Sequence, residues 1–196
     1  MFSIAALVAT AFARVGRAAE IEINSCGQGF HGGGYLTADL DCTTLPDGSF
    51  AVYMTGGARL DLNGFRILAR CNGVWCGEGK CSIGSTGGQG AIVGTGACGG
   101  VYLSAGVWTT NTRAPVVMDN VAISGFEVGL SVSQLALENS VISQNLEDGI
   151  AADSSYCPGG YACPARLNIR NSSIVENGGA GILLYFTAYP GRVLLD

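Results

Sequence analysis

The chain has 196 residues, a net charge of −5, 48% hydrophobic residues and only 13% charged ones. It is long enough for one domain with its own core and too apolar for disorder. Lacking a Lys/Arg cluster, it has no basic patch to meet the phosphates of a nucleic acid.

From the N-terminus, residues 1–18 read as a signal peptide. Residues 2–13 form an uncharged apolar run, too short to span a bilayer, and Ala11-Phe12-Ala13 and Gly16-Arg17-Ala18 offer small-x-small cleavage sites. No Lys or Arg precedes the run, and a buried N-terminal cap is the alternative. Export makes the protein secreted and extracellular, with no membrane span. Residues 19–54 read as an N-terminal cap with an entry strand at Tyr35-Leu-Thr-Ala-Asp-Leu40. His31-Gly-Gly-Gly34 resembles an esterase oxyanion loop, but the chain holds no G-x-S-x-G elbow. His31 is also the only His, so a Gly-rich cap loop is the better reading.

Residues 55–196 carry a repeat. Leu60-Asp-Leu-Asn-Gly-Phe-Arg-Ile67, Val116-Val-Met-Asp-Asn-Val-Ala-Ile123, Leu135-Ala-Leu-Glu-Asn-Ser-Val-Ile142 and Leu167-Asn-Ile-Arg-Asn-Ser-Ser-Ile174 share the pattern apolar-x-apolar-x-Asn/Gly-x-x-Ile. Gly129-Leu130, Gly149-Ile150 and Gly181-Ile182 then open a further strand. Asn120 and Asn139 lie 19 residues apart; the longer step to Asn171 is taken up by an inserted loop at 154–164. Alternation over three to five residues excludes amphipathic helices. A coil this small cannot bury its own apolar face, so coils must stack. Stacking predicts one interior file of Leu60, Val116, Leu135 and Leu167 and another of Ile67, Ile123, Ile142 and Ile174. Gly64, Asn120, Asn139 and Asn171 form a ladder at the corner, where αL backbone is needed and the amides can bond to one another. A β-sandwich would explain the strands and turns but not the near-19-residue register.

Eight cysteines behind an export signal read as disulfides. Cys157–Cys163 closes a short turn, and Cys26–Cys42 is the next pair. Cys71, Cys76, Cys81 and Cys98 pair among themselves within a Cys-rich loop at 71–98. Zinc is the weaker alternative, because Cys71-x4-Cys76-x4-Cys81 lacks a C-x2-C knuckle.

The rungs and their Asn ladder resemble the parallel β-helix repeats of the pectin-lyase-like superfamily. The resemblance implies an all-β, right-handed parallel β-helix solenoid. It implies polysaccharide or a cell-surface glycan as partner, but no single activity, since the superfamily holds lyases, hydrolases, esterases, epimerases and non-catalytic surface proteins. The Asn-x-Asp, Asp-Asp, Gly-His-Gly and Arg-x-Lys motifs of its polygalacturonase-like members do not occur here. Arg192-Val-Leu-Leu-Asp196 matches the entry of a rung, which predicts a C-terminally truncated solenoid.

Candidate chemistry remains dispersed. Glu127, Glu147, Asp148 and Asp153 cluster around the Gly129 and Gly149 half-rungs as a candidate Ca2+ site, with solvated corners as the plain alternative. Arg59, Arg166 and Arg192 precede equivalent strands and could hold a uronate polymer by bidentate contacts, or simply solubilise strand ends. Asp119, Glu138 and Arg170 share one outward column. Tyr156 and Tyr161 on the inserted loop, with Trp75, Tyr102, Trp108 and Tyr185, could stack on sugar rings. Gly94-Thr-Gly-Ala-Cys-Gly99 matches GxGxxG but is followed by a strand-like segment, not a helix, which excludes a dinucleotide site. Asn171-Ser-Ser173 is a glycosylation sequon, expected to be poorly modified inside the ladder. The chain reads as a secreted β-helix protein that binds or processes polysaccharide, such as a fragment of a lyase-like enzyme. The alternative is a non-catalytic, adhesin-like structural β-helix.

Overall fold

A computed structural model describes residues 20–96, 98, 104–109, 115–153 and 165–185, with the backbone of 156–157, 161–162 and 192–195. The candidate signal segment 1–18, the Cys157–Cys163 pair, the rings of Tyr102, Tyr156 and Tyr161, and the Arg192 side chain lie outside the described residues.

Every regular element among the described residues is a strand. A regular coil is Val128–Val132, Gln134–Glu138 and Val141–Ser143; the next is Ile150–Asp153, Arg166–Arg170 and Ser173–Val175. Each strand pairs in parallel with its equivalents in the coils above and below. The three successive strands of a coil therefore build three faces, called here the first, second and third. The third face is a sheet of six strands. The first and second belong to one sheet, because in Phe50–Asp61 a single 12-residue strand serves both.

The interior is a set of vertical files. Leu40, Ile67, Ile92, Ile123, Ile142 and Ile174 stack residue on residue on the third face. Val52, Val74, Val107, Leu130, Ile150 and Ile182 do so on the first. Each file buries apolar area continuously, which no single coil achieves. The solenoid begins earlier than the repeat alone suggests, since Gln28–Tyr35 already pairs along Phe50–Asp61. Within the Cys-rich stretch 71–98, expected as a loop among irregular coils, Asn72–Cys76, Cys81–Gly84 and Gly90–Gly94 form a full coil.

The expected second-face file is corrected at its lower end. Leu60 pairs with Ile83, and Ile83 with Met118, so Leu60 stacks with Met118, Leu137 and Ile169 and not with Val116. The cause is the corner. Ile67 follows Leu60 by seven residues, whereas Ile123 follows Met118 by five. The extra residues include Asn63 and Gly64, both at positive φ (51° and 81°). Gly64 is thus not the counterpart of Asn120. It lies against the backbone of Gly87, and its neighbour Asn63 reaches down to the Leu36 carbonyl.

Asn120, Asn139 and Asn171 do turn the corner in αL (φ 60°, 49° and 47°), a conformation Asn tolerates. Their amides do not bond to one another as expected. Asn120 Nδ2 donates to the Ser85 and Gly88 carbonyls, and Asn139 Nδ2 to Asp119 Oδ1. The amide–amide contact lies at the next corner, where buried Asn145 donates from Nδ2 to Asn177 Oδ1 (2.9 Å) and accepts from the Phe126 N–H. Gln144 and Glu176, just before these asparagines, are also in αL, as is Gly125 just before Phe126.

Where that corner leads into the first face the coil is thin. Gly73, Gly106, Gly129 and Gly149 each sit where a Cβ would strike the Cγ2 of the third-face Ile across the coil and a backbone carbonyl of the adjacent one. Only Gly fits. Three disulfides close the early coils: Cys26–Cys42, as expected, and Cys71–Cys98 and Cys76–Cys81 from the four-cysteine set.

Candidate functional site

On the outer surface of the second face, alternation brings every other residue out. In the later coils this makes three parallel columns. At one edge are Gln134 and Arg166, in register with Arg192. In the middle run Val117, Ala136 and Asn168, and beyond them Asp119, Glu138 and Arg170. The middle column lies lower than the Asp119, Glu138 and Arg170 column beside it, and a depression of about 200 Å3 opens there over three coils. Val117, Ala136 and Asn168 form its floor, and Asp119, Glu138 and Arg170 its rim.

Oδ1 of Asn168 is buried and has no hydrogen-bond partner among the described residues. Buried polar atoms in native proteins are almost always paired, and leaving one unpaired costs about 1–3 kcal/mol. Asp119 Oδ1 accepts from Asn139 Nδ2 (2.9 Å). The Glu138 carboxylate is exposed and has no partner among the described residues. Arg170 is exposed and already has a partner of its own. Lower in the rim column, Asp61 is fully occupied by the N–H groups of Asn63 and Thr86 and the Thr86 hydroxyl. Burial pushes its carboxyl up, but these donors and the charge of Arg59 outweigh burial and hold it below the usual carboxylate value.

Arg166 and Arg192 share a column as expected, whereas Arg59 does not join them. The corner shift that moves Leu60 places Arg59 with Ser82 and Val117, in the floor column. The acidic candidates do not converge. Glu127 accepts from the Ser104 N–H, Asp148 accepts from the Ala180 N–H, and Asp153 is exposed opposite Tyr185. Glu147 stacks on Glu127 through their backbones. Among the described residues no group of three or more His, Cys, Asp or Glu side chains could hold a metal ion. His31 lies far down the first face, its Nδ1 2.8 Å from the Thr55 hydroxyl.

The first face gathers aromatic rings. Trp75 and Trp108 are in register, and Tyr53 precedes them in the same outward file. Tyr53, Trp75 and Trp108 are half-buried, and the rings are tilted, Tyr53 against Trp75 by 57° and the buried Phe50 against Trp108 by 44°. They sheathe the sheet and do not form a flat platform. Tyr53 was legible as an outward residue by period two but not as a partner of Trp75. Val117, Ala136 and Asn168 were legible as outward positions of the repeat, but nothing in their residue types signals a depression.

A family model described as "Right handed beta helix region" matches residues 21–189. The chain belongs to the right-handed β-helix family. The match covers the coils just described and fixes the hand of the solenoid, but its description names no reaction or ligand. No curated protein and no solved structure matches this β-helix. Among the described residues no helix is long and apolar enough to cross a membrane.

Proposed function

We propose that this right-handed β-helix is an exported protein that binds polysaccharide along the outer surface of its second face. The observation that carries the reading is the groove over three coils, with Val117, Ala136 and Asn168 as its floor and charged side chains along its rim. A glycan is a chain of hydroxyl donors on a thin apolar skeleton, suited to such a floor and rim. The parallel sheet beneath holds the groups rigidly, so little ordering entropy is lost on binding. Three disulfides favour an oxidising compartment.

The test is binding of the purified protein to neutral, acidic and amino oligosaccharides, with absorbance followed for unsaturated products. Ala136→Trp fills the floor and is expected to abolish binding. Glu138→Ala removes an exposed acceptor from the rim, a hydrogen bond worth about 1 kcal/mol, and weakens binding about fivefold. Unchanged affinity in Ala136→Trp would exclude the groove, and absence of binding to every glycan would favour a purely structural solenoid.

A further inference from the structure

Asn171-Ser172-Ser173 is the only N-x-S/T triplet of the chain. It falls at the corner that joins Arg166–Arg170 to Ser173–Val175. The two equivalent corners below use their asparagine amides within the fold. Asn120 Nδ2 donates to the Ser85 and Gly88 carbonyls, and Asn139 Nδ2 to Asp119 Oδ1. Asn171 does not follow them. It is exposed, and its amide has no partner among the described residues. The ladder expected to shield this triplet leaves its acceptor nitrogen open.

The middle residue anchors the triplet while its neighbours face out. Ser172 Oγ donates to the Arg170 carbonyl (2.7 Å) and accepts from the Ser140 N–H (3.1 Å). The Ser173 N–H donates to the Ser140 carbonyl. These bonds tie the segment to the coil beneath. The Ser173 side chain is exposed and has no partner among the described residues. N-glycosylation requires an Asn amide and a hydroxyl two residues on, and here neither is engaged in holding the coils together. A bulky polar chain on Asn171 would stand in solvent and break no bond of the fold. On Asn139 it would cost the bond to Asp119, and Val141 there supplies no hydroxyl.

Resting on the export of the protein proposed above, we propose that Asn171 is an N-glycosylation site. The co-substrate is an oligosaccharide carried on a polyprenyl diphosphate. Asn171 Nδ2 attacks C1 of the first sugar. A C–N bond forms, the bond from C1 to the diphosphate oxygen breaks, polyprenyl diphosphate leaves and Nδ2 gives up one proton. The folded coil accepts the product because nothing in it uses that nitrogen. This reverses the poor modification expected from the ladder.

The experiment is production of the full chain, with its own N-terminal segment, in a eukaryotic secretory cell. Medium and lysate are analysed by intact mass and peptide mapping, before and after peptide N-glycosidase. The secreted protein should carry a single glycan, which the glycosidase removes while converting the side chain at position 171 from amide to acid. Ser173→Ala leaves the αL asparagine corner in place and should abolish the glycan without lowering secretion. Ser173→Thr should keep it. Secreted protein without a glycan, or a glycan that persists in Ser173→Ala, overturns this inference and leaves export standing. Protein found only in the lysate and without a glycan overturns both.

Discussion

Substitution of Gly129 by Ala tests the packing of the solenoid most directly. A Cβ at Gly129 would lie 2.6 Å from the Gly149 carbonyl oxygen, 2.6 Å from Ile142 Cγ2 and 2.8 Å from Asn145 Nδ2. None of these is the free end of a flexible side chain. The carbonyl accepts the Leu130 N–H, Ile142 is in the third-face file, and Asn145 is held by Asn177. The φ of Gly129 is not in the left-handed region, so the whole effect is steric. Overpacking costs about 1–3 kcal/mol, and three rigid contacts put this site at the upper end, about 3 kcal/mol. For a chain of this size that lowers the thermal midpoint by about 6–12 °C. Gly29→Ala is the internal control. Its nearest neighbour is Tyr53 Cβ at 3.8 Å, again without positive φ. There Ala should be neutral or stabilise by about 0.4–1 kcal/mol, by restricting the unfolded chain. Circular-dichroism melts of the two variants read both signs. A Gly129→Ala midpoint equal to that of Gly29→Ala would refute the thin-coil geometry.

Asn145→Ala leaves the buried Phe126 N–H unpaired and should cost about 2–3 kcal/mol in urea unfolding. Asn139→Gly, at an exposed αL corner, should cost far less, since Gly adopts the same φ without strain. Replacing both Cys71 and Cys98 by Ser opens a separation of 27 residues and is expected to cost about 3.5 kcal/mol in the loop-entropy picture, measured by the same unfolding curves. Asp61 has a folded-state pKa below that of the unfolded chain. Its contribution is therefore complete above the unfolded value and disappears as pH falls through the folded one. Asp61→Asn should weaken the protein at neutral pH and flatten the loss of stability below about pH 4, as read from midpoints across an acid series.

The residues alone determined the period-two strands, the third-face isoleucine file and the first-face strands that hold Leu130, Ile150 and Ile182. These are local alternation and spacing, which any stacked arrangement must respect. They also determined the αL corners at Asn120, Asn139 and Asn171, a preference of the Asn backbone itself. Tertiary structure decided everything that depends on how many residues each corner consumes. Two additional residues between Leu60 and Ile67 moved Arg59 out of the arginine column and brought Leu60 beside Met118. Sequence spacing could not show whether those residues lay in the strand or in the turn. The meeting of Asp119, Glu138 and Asn168 around a shallow floor likewise required the stacking of coils 19 and 32 residues apart. A groove arises from the difference in height between neighbouring side chains, which becomes visible only when the strands are laid side by side.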